Sequence, residues 1–108
     1  MTVTKRIKVR VPDIAPAISD ELITTASDRL LLRIGEDNIP ARLESVLVEV
    51  VVAMYNRMYH EGIKSEAVES LTTAFVDDLF TLYEDDISAY LARRESEANE
   101  NRGKLMFL

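Results

Sequence analysis

The chain has 108 residues, 47% hydrophobic and 30% charged, with a formal net charge of −6; that is one domain's length, too apolar for disorder. Without cysteine and with three glycines and three prolines, it excludes disulfides, thiolate chemistry and a Gly-rich phosphate loop, and the lone His60 argues against His-rich zinc sites and His-based triads. No apolar run reaches the ~18 residues of a membrane span, the N-terminus shows no signal-like apolar stretch, and the acidic balance opposes generic binding to phosphate backbones.

Residues 1–12 hold Lys5, Arg6, Lys8, Arg10 and no acid, a local +4 that leaves −10 on the rest of the −6 chain. Ile7-Lys8-Val9-Arg10-Val11 alternates apolar and basic, the period of an extended strand. Pro12 and Pro16 oppose helix in the residues beside them. Residues 1–17 are therefore expected as an extended basic arm. A first helix is expected over residues 20–34, capped by Ser19 or Asp20, with Leu22, Ile23, Ala26, Leu30 and Ile34 on one side. Gly35 stands where a left-handed C-terminal cap belongs.

The second helix is expected over residues 40–60, with Pro40 in its first turn and Gly62 beyond its end. Its polar stripe is narrow: Arg42, Ser45, Glu49, Asn56 and His60. Leu43, Val46, Leu47, Val50, Val51, Met54, Tyr55 and Met58 cover most of the remainder, so this helix needs neighbours on several sides and is central. Residues 61–73 show no period and read as a long loop, mobile or occupied by a partner. A third helix is expected over residues 74–94, with Val76, Phe80, Tyr83, Ile87 and Tyr90 at three- and four-residue intervals. Residues 95–108 read as a tail, polar until Leu105-Met106-Phe107-Leu108. The fold class is all-α: a three-helix core (residues 18–94) with room for a short extra helix, an arm, a loop and an extended tail.

No constellation supports catalysis. Glu84-Asp85-Asp86 invites a divalent metal, but adjacent helical side chains diverge by about 100° and cannot converge on one ion. The run reads as acidic surface, solvated or facing a subunit. Glu49 and His60 lie about three turns apart and cannot act as an acid–base pair. His60 reads as exposed or at an interface. No serine has the context of a nucleophile elbow. No enzyme, cofactor or metal is therefore expected.

The basic arm has three uses open to it: nucleic acid, a membrane surface, or an acidic face of another copy. A solvated edge strand is the plain alternative. Four charges without an amphipathic helix make a weak membrane anchor, whereas the −10 body offers a ready complement. The terminal LMFL either folds back on the helices or docks into another chain. Glu61 is unfavourable at a helix C-terminus and calls for compensation from outside the helix.

A family pattern runs through short segments of the chain. They are Leu30-Leu31-Leu32-Arg33-Ile34-Gly35, Ile39-Pro40, Glu49-Val50, Tyr55-Asn56-Arg57, Glu61-Gly62 and Lys64-Ser65-Glu66-Ala67-Val68-Glu69. Phe75, Tyr83-Glu84-Asp85-Asp86-Ile87 and Tyr90-Leu91 come next, then Arg102-Gly103-Lys104-Leu105-Met106-Phe107-Leu108. In this order, over about residues 20–108, they resemble the head–tail connector (adaptor) proteins of long-tailed bacteriophages. Leu71-Thr72-Thr73 departs from the Gly- and Ser-rich stretch such proteins tend to have.

The resemblance implies a non-enzymatic virion protein at the head–tail junction, made in the bacterial cytoplasm. It implies a ring of about twelve copies closed by heterologous contacts. The ring's partners are the portal protein and a stopper or tail-completion protein, and DNA passes through without specific binding. On this reading Lys5, Arg6, Lys8, Arg10, Arg57 and Glu61 serve subunit contacts, and Leu105, Met106, Phe107 and Leu108 dock on the portal. Asp77, Asp78 and Asp85 belong to an acidic channel or interface surface, since a basic lining would retain phosphates. The rival class is a small regulatory protein, antitoxin-like or nucleic-acid-associated, that uses the basic arm.

Overall fold

In the computed structural model, which describes residues 2–61 and 71–106 and, for 59–61 and 101–106, the backbone alone, the chain is all-helical and holds no strand among those residues. The helices are α1 (Val3–Arg10), α2 (Pro16–Ile34), α3 (Glu44–Glu61), α4 (Thr73–Thr81) and α5 (Glu84–Met106), with a 3₁₀ turn at Ala41–Leu43 ahead of α3. The central role expected of α3 is borne out. It packs against α1, α2 and α4, and Val46, Leu47, Val48, Val50, Val51, Met54 and Met58 are all 6% exposed or less. From α2, Leu22, Ala26, Leu30 and Ile34 meet this face; Val76 and Phe80 of α4 and Ile87 of α5 complete the core.

The N-terminal arm is a correction. Residues 3–10 are helical, not extended. Thr2 caps the helix, its hydroxyl accepting from the Lys5 amide at 3.2 Å. Val3, Ile7 and Val11 recur every four residues and form the inner face, with Ile7 fully buried. Five residues of alternation matched a strand equally well; packing of that face on α3 decides between the two periods.

Helix α2 starts four residues earlier than expected, with Pro16 in its first turn. That position needs no amide hydrogen bond and suits proline's fixed φ. Ser19 is therefore inside the helix rather than capping it. At the other end Gly35 adopts φ 71°, ψ 37° and donates its amide to Leu31 O at 2.8 Å, the cap expected of it. Gly35→Ala strains that conformation while meeting nothing within 4 Å. It should lower stability by about 1 kcal/mol, read as a urea midpoint shift at constant m-value.

The third expected helix is two helices. Leu82 and Tyr83 form a corner closed by 3₁₀-type bonds, Leu82 N–H to Leu79 O (3.2 Å) and Tyr83 N–H to Phe80 O (2.9 Å). No glycine or proline marks the break. The overlooked signal is Glu84-Asp85-Asp86, which places three acids in the first turn of α5, where the helix dipole favours them. Helix α4 begins at Thr73, with the Thr72 hydroxyl accepting from the Phe75 amide at 3.1 Å.

The C-terminal tail is a second correction: α5 continues through Met106 instead of giving way to an extended segment. Residues 92–100 are exposed throughout, so no packed face sustains them. They extend a helix already nucleated on the body, they are rich in Ala, Glu and Arg, and Arg93 bonds Glu97 one turn on at 3.2 Å. The molecule consequently measures 60 × 28 × 20 Å.

Candidate functional site

The charged side chains divide into an internal set that joins helices and an external set that is left over. Arg6 donates to Ser45 Oγ at 2.8 Å, and Arg10 pairs with Glu49. The basic face of α1 thus covers part of the polar stripe of its own α3. Two of the four α1 cations expected at a subunit contact, Arg6 and Arg10, are engaged at home. Lys5 and Lys8 are exposed and make no ion pair among the described residues.

A second set ties the helices together around α2. Arg29 forms a two-pronged bond to Asp77 (Nε–Oδ1 2.9 Å, Nη2–Oδ2 2.7 Å), and Arg33 reaches Glu84 at 2.8 Å. Together these hold α4 and the start of α5 against α2, fixing the corner at Leu82–Tyr83. Further along α5, Arg94 donates to the Ile34 carbonyl (3.0 Å) and to Glu36 Oε2 (2.9 Å), and the Tyr90 hydroxyl donates to the same oxygen at 2.5 Å. A cation on a terminal carbonyl complements the dipole of α2. The Glu36 hydrogen bond, reinforced by burial, raises the Tyr90 hydroxyl above its usual range.

The hydrogen bonds from Arg29 hold the Asp77 carboxyl below its usual range, against the opposing effect of burial. Since the folded value is depressed, the pair's contribution is complete above the unfolded value, about 4. It disappears as pH falls through the lower folded value. Asp77→Asn should therefore lower the urea midpoint at pH 7, and the gap from wild type should narrow in strongly acidic buffer.

Of the acids expected on a channel or interface surface, Asp77 is occupied within the subunit. Asp78 and Asp85 are exposed and without an ion pair among the described residues. Arg57 sits over the Phe75 ring, 4.5 Å from its centroid, a cation–π contact between α3 and α4. The side chain of Glu61 lies outside the described residues. So do the side chains of Leu105 and Met106, the whole of Phe107 and Leu108, and residues 62–70 of the expected loop. Thr72 and Thr73, at the end of that expected loop, already form the cap and first turn of α4.

Sequence reasoning missed Arg29, Arg33, Glu36 and Arg94 as the fasteners of the fold. Arg29 and Arg33 at one-turn spacing gave a local sign of a cationic edge; nothing local pointed to Glu36 or Arg94. It also missed Leu82, which is 76% exposed at the corner. Among the described residues no three His, Cys, Asp or Glu side chains are placed to hold a metal ion, and no helix is long and apolar enough to cross a membrane.

The described surface offers apolar and charged patches on a helical frame, the makings of a structural subunit that joins other proteins. A sequence match to the phage gp6-like head-tail connector protein family covers residues 18–90, and the chain belongs to that family. No curated protein and no solved structure matches it. The match leaves α1 and the outer part of α5 outside its span. The chain is accordingly a structural connector, working with the head and tail proteins of a phage particle.

Proposed function

We propose that this chain is one subunit of a ring, about twelve copies closed by heterologous contacts, that seats on the portal and receives the stopper or tail. DNA leaves through the central hole without being bound. The observation that carries this reading is the family match over residues 18–90. The charge layout supports it: Lys5 and Lys8 stand out on one element, Asp78 and Asp85 on others, two unlike patches of the kind a head-to-tail ring brings together.

The arm takes part through Lys5 and Lys8 rather than through all four cations, because Arg6 and Arg10 serve the fold. Residues 92–100 of α5 are exposed, and Leu105, Met106, Phe107 and Leu108 beyond them serve to dock on the portal. Deleting residues 105–108 should leave helical content by circular dichroism unchanged while abolishing co-sedimentation with purified portal rings. Loss of the fold on that deletion would place the segment in the core instead.

The decisive experiment for the role itself is genetic. In the phage or prophage that encodes this chain, its disruption should give DNA-filled heads and separate tails, rejoined when the chain is supplied in trans. Joined, infectious particles in its absence would overturn the reading.

A further inference from the structure

Between α1 and the start of α2 lies a groove of about 180 Å³ lined by Thr4, Lys5, Lys8, Ile14, Pro16 and Ser19. Its surface is overwhelmingly apolar. Ser19 is 3% exposed, and its hydroxyl has no hydrogen-bond partner. A buried hydroxyl without a partner is costly and uncommon in a folded protein. The two lysines of this groove are the two cations that α1 does not spend on its own α3. An apolar socket, two lysines without an ion pair among the described residues and an unsatisfied hydroxyl therefore coincide.

The complementary shape is at the corner between α4 and α5. Leu82 is the most exposed large hydrophobic residue among those described, at 76%. Asp78 lies four residues before it and Asp85 three after, both exposed and without an ion pair among the described residues. Arg29–Asp77 and Arg33–Glu84 tie the helices on either side of the corner to α2 and favour the arrangement that leaves Leu82 outside. An apolar knob flanked by acids matches an apolar socket flanked by lysines.

We infer that the α4–α5 corner of one copy docks in the α1–α2 groove of the next, with Leu82 filling the groove and Asp78 and Asp85 facing Lys5 and Lys8. The occupant is thus a second copy of this chain. Because knob and socket are different patches, the contact is heterologous and repeats from copy to copy, giving a closed ring or an open chain. This contact rests on the ring reading proposed above and names the surfaces that make it.

The absence of cysteine from the whole chain makes disulfide trapping clean. A Leu82→Cys, Lys8→Cys double variant, concentrated and oxidised, should give a ladder of covalent oligomers, while each single variant stops at dimers. Charge reversal supplies an independent measure by sedimentation velocity. Lys5→Glu with Lys8→Glu, and separately Asp78→Lys with Asp85→Lys, should each weaken self-association at least tenfold, and the quadruple variant should recover it. Circular dichroism should be unchanged throughout, as all five positions are exposed.

Oligomers that form without a ladder, and that ignore the charge reversals, would overturn this contact and leave the ring reading standing. A chain that stays monomeric and yields no ladder, alone or with portal rings, would overturn both. Crosslinking of the Lys8→Cys single variant, carrying a photoreactive probe on that thiol, to a portal or stopper protein in place of a second copy would assign the groove to that partner and overturn the self-contact.

Discussion

Ile7→Ala will lower the stability of the folded chain by about 2–5 kcal/mol, the usual cost of removing a fully buried aliphatic side chain. The residue is completely buried in the core cluster, on the inner face of a helix that packs against α3 and α2. A domain of this size holds in total about 5–15 kcal/mol, so the variant should unfold at visibly lower urea, with an unchanged m-value. Lys5→Ala and Lys8→Ala, on the exposed side of the same helix, should stay within about 0.5 kcal/mol. Had residues 1–17 been a solvated arm, all three substitutions would be equally silent. A neutral Ile7→Ala would therefore detach α1 from the core, and the groove between α1 and α2 would lose one wall.

Phe80→Ala is the larger perturbation, at about 3–5 kcal/mol. Phe80 is the largest of the fully buried side chains. It anchors the last turn of α4, with only Thr81 between it and the corner at Leu82. Its loss should loosen the corner that the Arg29 and Arg33 pairs otherwise hold, so thermal stability and self-association fall together. Leu82→Asp should separate the two: association is lost while the melting temperature stays close to wild type, because Leu82 contributes almost nothing to its own core. If Leu82→Asp melts as early as Phe80→Ala, the corner is part of the core and the docking surface is misplaced.

The contrast between Phe80 and Leu82 also shows where a hydrophobic pattern stops being informative. Val76, Phe80, Tyr83, Ile87 and Tyr90 form one helical series across residues 76–90, and all five side chains do turn inward: Val76, Phe80 and Ile87 are buried, Tyr83 and Tyr90 partly so. The break at Leu82–Tyr83 preserves that order, and for this reason the period conceals it. Leu82 is apolar but off the series, and the break leaves it on the outside. Its exposure stems from the direction of α5 after the corner, a long-range property.

The buried stripes of α2 and α3, the cap at Gly35 and the all-α class were legible because each depends on residues within a few positions of one another; burial of Leu22, Ala26, Leu30 and Ile34 comes from helical spacing alone. The family pattern was likewise present in short ordered segments. The state of residues 3–10, the helical continuation of α5 and the division of the four basic residues of α1 were settled only by tertiary structure. Arg6 and Arg10 meet Ser45 and Glu49 across 39 positions of sequence, and Arg94 meets Ile34 and Glu36 across 60 and 58. Local periodicity carries no information on which charge finds a partner at such separations. The packing of α1 and α5 on the body does, by consuming some charges and leaving Lys5, Lys8, Asp78 and Asp85 outward.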